Sequence, residues 1–134
     1  MAGFSYSDWF KNSLQDNVTN ILASGLHMHL FKNSLTLNGT EVLGSFTEAT
    51  FTGYAVVTLS GFAAAAISGT QAYSTGSVAT FTLTAGSQNI YGYYVTDAAD
   101  SKLYWAENDP NAPIALNTTD NTYQITPKVQ RTTQ

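Results

Sequence analysis

At Gly25 the hydrophobic period of this chain changes, and that change decides which folds remain open to it. Before it, Trp9, Phe10, Leu14, Val18, Ile21 and Leu22 recur at steps of three and four, the spacing of one helical face over residues 5–23. Ser7 is a suitable N-cap, Asp8 falls in the first turn where it complements the helix dipole, and Gly25 is a stop signal. Beyond Gly25 the period is two. Leu26, Met28 and Leu30 alternate with His27, His29 and Phe31. Ala49, Phe51, Ala55, Val57 and Leu59 share one side of residues 49–59, with Glu48, Thr50 and Thr52 on the other. In "VATFTLT" Phe81 and Leu83 oppose threonines, and in "NTYQITPKV" Tyr123, Ile125 and Val129 oppose Thr122, Gln124 and Lys128. Such alternation marks half-buried antiparallel strands.

Turn signals punctuate the strands: Asn38-Gly39, Gly44-Ser45, Ser60-Gly61, Gly76-Ser77, Gly86-Ser87 and Asn108-Asp109-Pro110. "FAAAAISG" is too short between its glycines for a helix and reads as an edge strand. The expected fold is mainly β: an antiparallel β-sandwich or small barrel of about seven to nine strands with one N-terminal amphipathic helix. The expected organisation is a helical arm over residues 1–25 and a β-sandwich domain over residues 26–134. The arm either crosses its own sheet or docks on a neighbouring subunit, with Ser24-Gly25 as hinge.

Only 10% of the residues are charged, whereas 31 of 134 are Ser or Thr. The charged share of a globular protein averages about a quarter. So much hydroxyl with so little charge suits a β-protein with Thr-rich outer faces and a surface partly covered by neighbours. The net charge of −4 leaves no basic patch for nucleic acid. Residues 1–30 lack a basic start followed by an apolar run, so neither a signal peptide nor a membrane span is expected. With no Cys there is no disulfide or thiolate site.

"YGYYVTDAADSKLYWAE", residues 91–107, is the densest aromatic stretch. Two strands, 90–96 and 102–107, are joined by "DAADS". Tyr91, Tyr93 and Val95 share one face and Ile90 and Tyr94 the other; Leu103 and Trp105 oppose Tyr104. Large rings on both faces fit a hairpin that also lies in an interface, where tyrosine is enriched. The alternative is that a helix, such as that of residues 5–23, covers the second face within the same chain. The interface residues expected are Ile90, Tyr94 and Tyr104 on the hairpin, with Trp9, Phe10 and Leu14 on the arm.

Catalytic signals are sparse. His27 and His29 form an H-x-H pair whose side chains point the same way, with Glu48 or Glu41 as a conceivable third ligand. Alone, that pair is a weak metal signal, and no functional metal or other cofactor is expected. Asp97, Asp100, Glu107 and Asp109 cluster in sequence, but turns collect acids for conformational reasons. No G-x-S-x-G elbow, phosphate loop or dinucleotide fingerprint is present.

"LHMHLFKNSLT", "FTEATFTGYAVV", "IYGYYVTDAADSKLYWAE" and the closing "YQITPKV" resemble a group of small uncharacterised β-proteins associated with the virions of tailed bacteriophages and prophages. The resemblance covers about residues 26–129. It implies a virion location and a non-enzymatic structural role, of the head-decoration or accessory capsid type, and transfers no site residues. The partners so implied are further copies of the chain or a major capsid protein. The alternative is a fibre or spike module that binds carbohydrate or a host surface, with a glycan as partner.

Overall fold

The strand that follows Gly25 becomes the central strand of the largest sheet. A computed structural model describes residue 7 and residues 20–64, 66–68 and 71–132. Among these, eleven strands follow in chain order: β1 (His27–Phe31), β2 (Val57–Thr58), β3 (Ala66–Ser68), β4 (Gln71–Thr75), β5 (Ala79–Thr82), β6 (Gln88–Ile90), β7 (Gly92–Thr96), β8 (Leu103–Asn108), β9 (Ile114–Leu116), β10 (Thr122–Ile125) and β11 (Lys128–Thr132). They form a four-stranded sheet β2-β1-β7-β8, a three-stranded sheet β11-β4-β3, and the pairs β10-β5 and β6-β9. Every pairing is antiparallel. The protein is mainly β, and its sheets do not close into a barrel. "FAAAAISG" supplies β3, at the edge of its sheet.

Period two sorts β1 as its sequence requires. Leu26, Met28 and Leu30 enter the main core with Phe81 of β5, Tyr93 and Val95 of β7, Leu116 of β9 and Tyr123 of β10. Each such large apolar side chain contributes roughly 1.5–3 kcal/mol by leaving water. Thr80 and Thr82 on β5 stay exposed opposite it. Residues 20–22 are helical, and Leu22, on the arm side of the expected boundary at residue 25, is only 1% exposed within this core. Trp9, Phe10 and Leu14 lie outside the described residues.

Three expected strands are interrupted. Residues 49–59 turn at Gly53, whose φ is +94 and where a Cβ would stand 2.7 Å from the Thr82 carbonyl oxygen. Only Val57–Thr58 remains as strand, and Ala55 is exposed. The 90–96 run breaks at Tyr91, where β6 leaves for β9 and β7 joins β1. The 121–129 run breaks at Thr126-Pro127. Proline has no N–H for a ladder, and its carbonyl instead accepts from Gly76 N at 2.8 Å.

The break at Tyr91 changes which rings share a face. Ile90 drops into the main core beside Tyr93 and Val95, while Tyr94 and Tyr91 join a second cluster with Phe31, Phe46 and Leu103. In β8 the register shifts between Val95 and Thr96: Val95 pairs with Trp105, but Thr96 pairs with Leu103. Tyr104 is the additional residue, pushed outward and 45% exposed. The bulge also separates Leu103 from Trp105, which packs on the main core.

The second face of the hairpin is covered within the chain. The segment leaving β1 at Phe31 returns at Glu48, which bridges Phe31, and Lys32 N donates to Thr47 O at 2.9 Å. Between these ends, Leu35, Leu37, Leu43 and Phe46 lie on the aromatic face. Asn108 Nδ2 donates to Leu35 O at 3.0 Å and fastens the segment to β8. This corrects the expectation that Ile90 and Tyr94 face outward: both are buried inside the chain, and of the three hairpin residues only Tyr104 is open to solvent.

Candidate functional site

The polar edge of β1 gathers the groups capable of chemistry. His27 and His29 project to the same side, as alternate strand residues must. β7 brings Thr96 opposite His27 and Tyr94 opposite His29. The turn between β7 and β8 then folds back over them. Its base is fixed by Asp97, whose carboxylate accepts from Ser101 N and Ser101 Oγ, both at 2.7 Å, and from Lys102 N at 3.1 Å. Those bonds, led by the Ser101 hydroxyl, hold the Asp97 carboxyl below its ordinary range. The turn leaves Asp100 with φ 55, the one non-glycine in the left-handed region among the described residues. Aspartate tolerates that region better than most side chains, at some local cost.

Asp100 Oδ1 is the meeting point. It lies 2.8 Å from His27 Nδ1 and 3.0 Å from His29 Nε2, and it accepts from Thr96 Oγ1 at 2.9 Å. The hydrogen bond with His27, followed by those with Thr96 and His29, holds the Asp100 carboxyl below its ordinary range despite some desolvation. His29 is held from the other side as well: Glu48 Oε1 is 2.7 Å from its Nδ1. Tyr54 Oη donates to the same Glu48 oxygen at 2.8 Å and accepts from Leu30 N at 3.2 Å. Burial and Glu48 push the Tyr54 phenol strongly upward, so it stays a donor. The His29 ring stacks on Tyr94 (4.7 Å, 8°), and Tyr94 in turn on Phe46 (4.6 Å, 16°). Burial, then Glu48 and Asp100, push Tyr94 up to about 12.

A cavity of about 240 Å³ opens on this cluster, lined by His29, Glu48, Tyr94, Thr96 and Asp100 with Leu43 and Val56. Thr96, His29 and Glu48 stand in the order nucleophile, base and orienting carboxylate, with Thr96 Oγ1 3.0 Å from His29 Nε2. Acyl transfer does not suit them. Thr96 is 1% exposed, and its hydroxyl already faces Asp100 Oδ1 and the Asp97 carbonyl. Ligation by His27, the buried His29 and the exposed Asp100 suits the arrangement better.

Of the carboxylates considered from sequence, Glu48 reaches His29, while Glu41 accepts from Asn38 N and Gly39 N and caps its own turn. The sequence alone assigns Asp100 no ligand role. Its αL geometry and the capped turn that create the role depend on tertiary placement.

A second concavity, of about 460 Å³, lies between β8 and the β10–β11 region. Tyr93 Oη donates to Glu107 Oε2 at 2.9 Å, and Tyr123 Oη to Asp109 Oδ2 at 2.6 Å. Asn108, Gln124, Lys128 and Gln130 complete a polar lining. Burial pushes Tyr93 up to about 12 and Tyr123 higher still.

No family model, curated protein or solved structure matches the chain.

Proposed function

We propose that the protein is a non-enzymatic structural component of a phage particle, decorating or cementing the capsid through contacts with a major capsid protein or with copies of itself. The observation that carries this is the β8 edge. β8 ends the four-stranded sheet, and its bulge presents Tyr104, a large ring with a water-tolerant hydroxyl, at that edge. Low charge and exposed threonines on β5 support a surface that meets other proteins. The resemblance to virion-associated β-proteins supports the same role. As architecture we propose a β-sandwich, because β1 and β7 from one sheet and β5 and β10 from another share a single core. The N-terminal amphipathic helix belongs to the same proposal.

Mass spectrometry of purified particles of the phage encoding this chain tests the role. The chain is expected at a copy number comparable to that of a capsid or decoration subunit. Its absence from purified particles rejects the proposal.

The groove between β8 and the β10–β11 region favours a second reading, a carbohydrate-binding module. Two carboxylates, two tyrosines and several amides offer donors and acceptors that fit sugar hydroxyls. A glycan array with the Glu107→Ala variant as control tests it; no wild-type signal, or a signal unchanged by the substitution, excludes this groove.

A further inference from the structure

We infer that His27, His29 and Asp100 form a binding site for a divalent first-row transition-metal ion of the zinc class, with Glu48 as its positioning residue.

The donor atoms come first. One ligand atom from each of the three residues lies within 4.8 Å of the other two. Around a tetrahedral zinc ion, with bonds of about 2.0–2.2 Å, neighbouring donors stand about 3.3 Å apart. The two contacts to Asp100 Oδ1, at 2.8 and 3.0 Å, therefore need to open by only a few tenths of an ångström. Two imidazoles with one carboxylate favour zinc and its neighbours over magnesium or calcium, which prefer all-oxygen shells.

The carboxylates on either side of His29 supply a second argument. A neutral imidazole donates through only one nitrogen. His29 has a carboxylate oxygen at each, Glu48 Oε1 at Nδ1 and Asp100 Oδ1 at Nε2. If Nδ1–H donates to Glu48, the Nε2 lone pair points at the Asp100 carboxylate and the Thr96 hydroxyl, each 3.0 Å away. A cation bound at Nε2 would pair that nitrogen with the carboxylate. It also reproduces the carboxylate–histidine–metal arrangement in which the remote carboxylate fixes tautomer and ring orientation. Glu48 is itself held by Tyr54, and the His29 ring by its stack on Tyr94, so the donor is aimed before any ion arrives.

The backbone adds a third. Asp100 occupies the left-handed region without being glycine, and that conformation lets its carboxylate reach back across 73 positions of sequence to His27. A bound ion would staple the β7–β8 turn to β1. Its fourth position would face the cavity beside Tyr94 and Thr96, open to water or to a small anionic ligand. The weak H-x-H signal in the sequence becomes a three-donor set once Asp100 is in place.

The test uses the untagged full chain, stripped with chelator and then dialysed against zinc chloride followed by metal-free buffer. One zinc per chain is expected to remain, with a melting temperature above that measured in chelator. Cobalt(II) bound in its place is expected to show the visible absorption of a tetrahedral site. His27→Ala and Asp100→Asn are each expected to weaken zinc binding by more than tenfold, and Glu48→Gln by about 10–100-fold. Melting temperatures in chelator identify variants that fold. His29→Ala is avoided because His29 is only 4% exposed. No zinc retained by the wild type overturns the inference, as does retention undiminished in both His27→Ala and Asp100→Asn. Virion incorporation is read separately and does not depend on this result.

Discussion

Asp100 Oδ1 and His27 Nδ1, 73 positions apart in sequence, lie 2.8 Å apart and tie the β7–β8 turn to the start of β1. Because the Asp100 carboxyl is held below its ordinary value of 3.8, the folded state binds its proton less readily than the unfolded chain does. The stabilisation is therefore fully present above the unfolded value and is lost as pH falls through the folded one. Urea midpoints measured from about pH 5 to about pH 3 are expected to fall more steeply for the wild type than for Asp100→Asn. Parallel curves would show that the contact carries no linkage.

Leu22 tests where the arm ends. It precedes the expected boundary at residue 25, yet its side chain lies in the main core with Leu26 and Met28. Leu22→Ala should cost about 2–5 kcal/mol, the range for buried leucine truncations. Ile21, its exposed neighbour, should tolerate Ile21→Ala within about 0.5 kcal/mol. Denaturant unfolding of the two variants checks the contrast. Equal small losses would support a boundary at residue 25.

What the sequence made legible follows from local pattern. The alternation of Leu26, Met28 and Leu30 against His27, His29 and Phe31 predicts the two faces of β1, and the threonines of β5 mark its outer side. The hairpin failed locally because parity survives only while a strand keeps one partner. The change of sheet at Tyr91, beside Gly92, and the extra residue at Tyr104 each reset it, and the second carries no glycine or proline signal. The cover over Tyr94 was illegible for another reason: Leu35, Leu37, Leu43 and Phe46 come from a segment with little regular structure. The His27–His29–Asp100 cluster was half legible. Spacing showed the histidines together, but a turn acid reveals its partners only when the turn is placed.

Gly92 interrupts the tyrosines of "YGYY" for a packing reason. It pairs with Phe31 across β1 and β7, and a Cβ there would overlap the Glu107 carbonyl oxygen and press on the Phe31 ring at 2.9 Å. Its neighbours include backbone and a fully buried ring, so there is little room to yield. Gly92→Ala is expected to cost at least the upper part of the about 1–3 kcal/mol seen for overpacking. A thermal melt suffices, and an unchanged melting temperature would mean that the β8 backbone at Glu107 and the Phe31 ring both yield without penalty.

Tyr94 and Tyr104 separate stability from association. Tyr94 is 6% exposed, stacked between His29 and Phe46 in the smaller core. Tyr94→Ala removes a buried ring and should cost about 3–5 kcal/mol of stability. Tyr104 sits on the outward side of the β8 bulge, 45% exposed, and Tyr104→Ala should shift stability by less than about 0.5 kcal/mol. If the β8 edge is a contact surface, that ring is the anchor most able to fill a partner's pocket. Losing such an anchor commonly costs above about 2 kcal/mol of binding, more than tenfold in affinity. Trp105 packs on the main core, so Trp105→Ala should lower the melting temperature. Scoring melting temperature and particle incorporation separately for the three variants resolves the roles. Full incorporation of Tyr104→Ala would move the contact away from β8, since no other residue expected on this hairpin's interface reaches the surface.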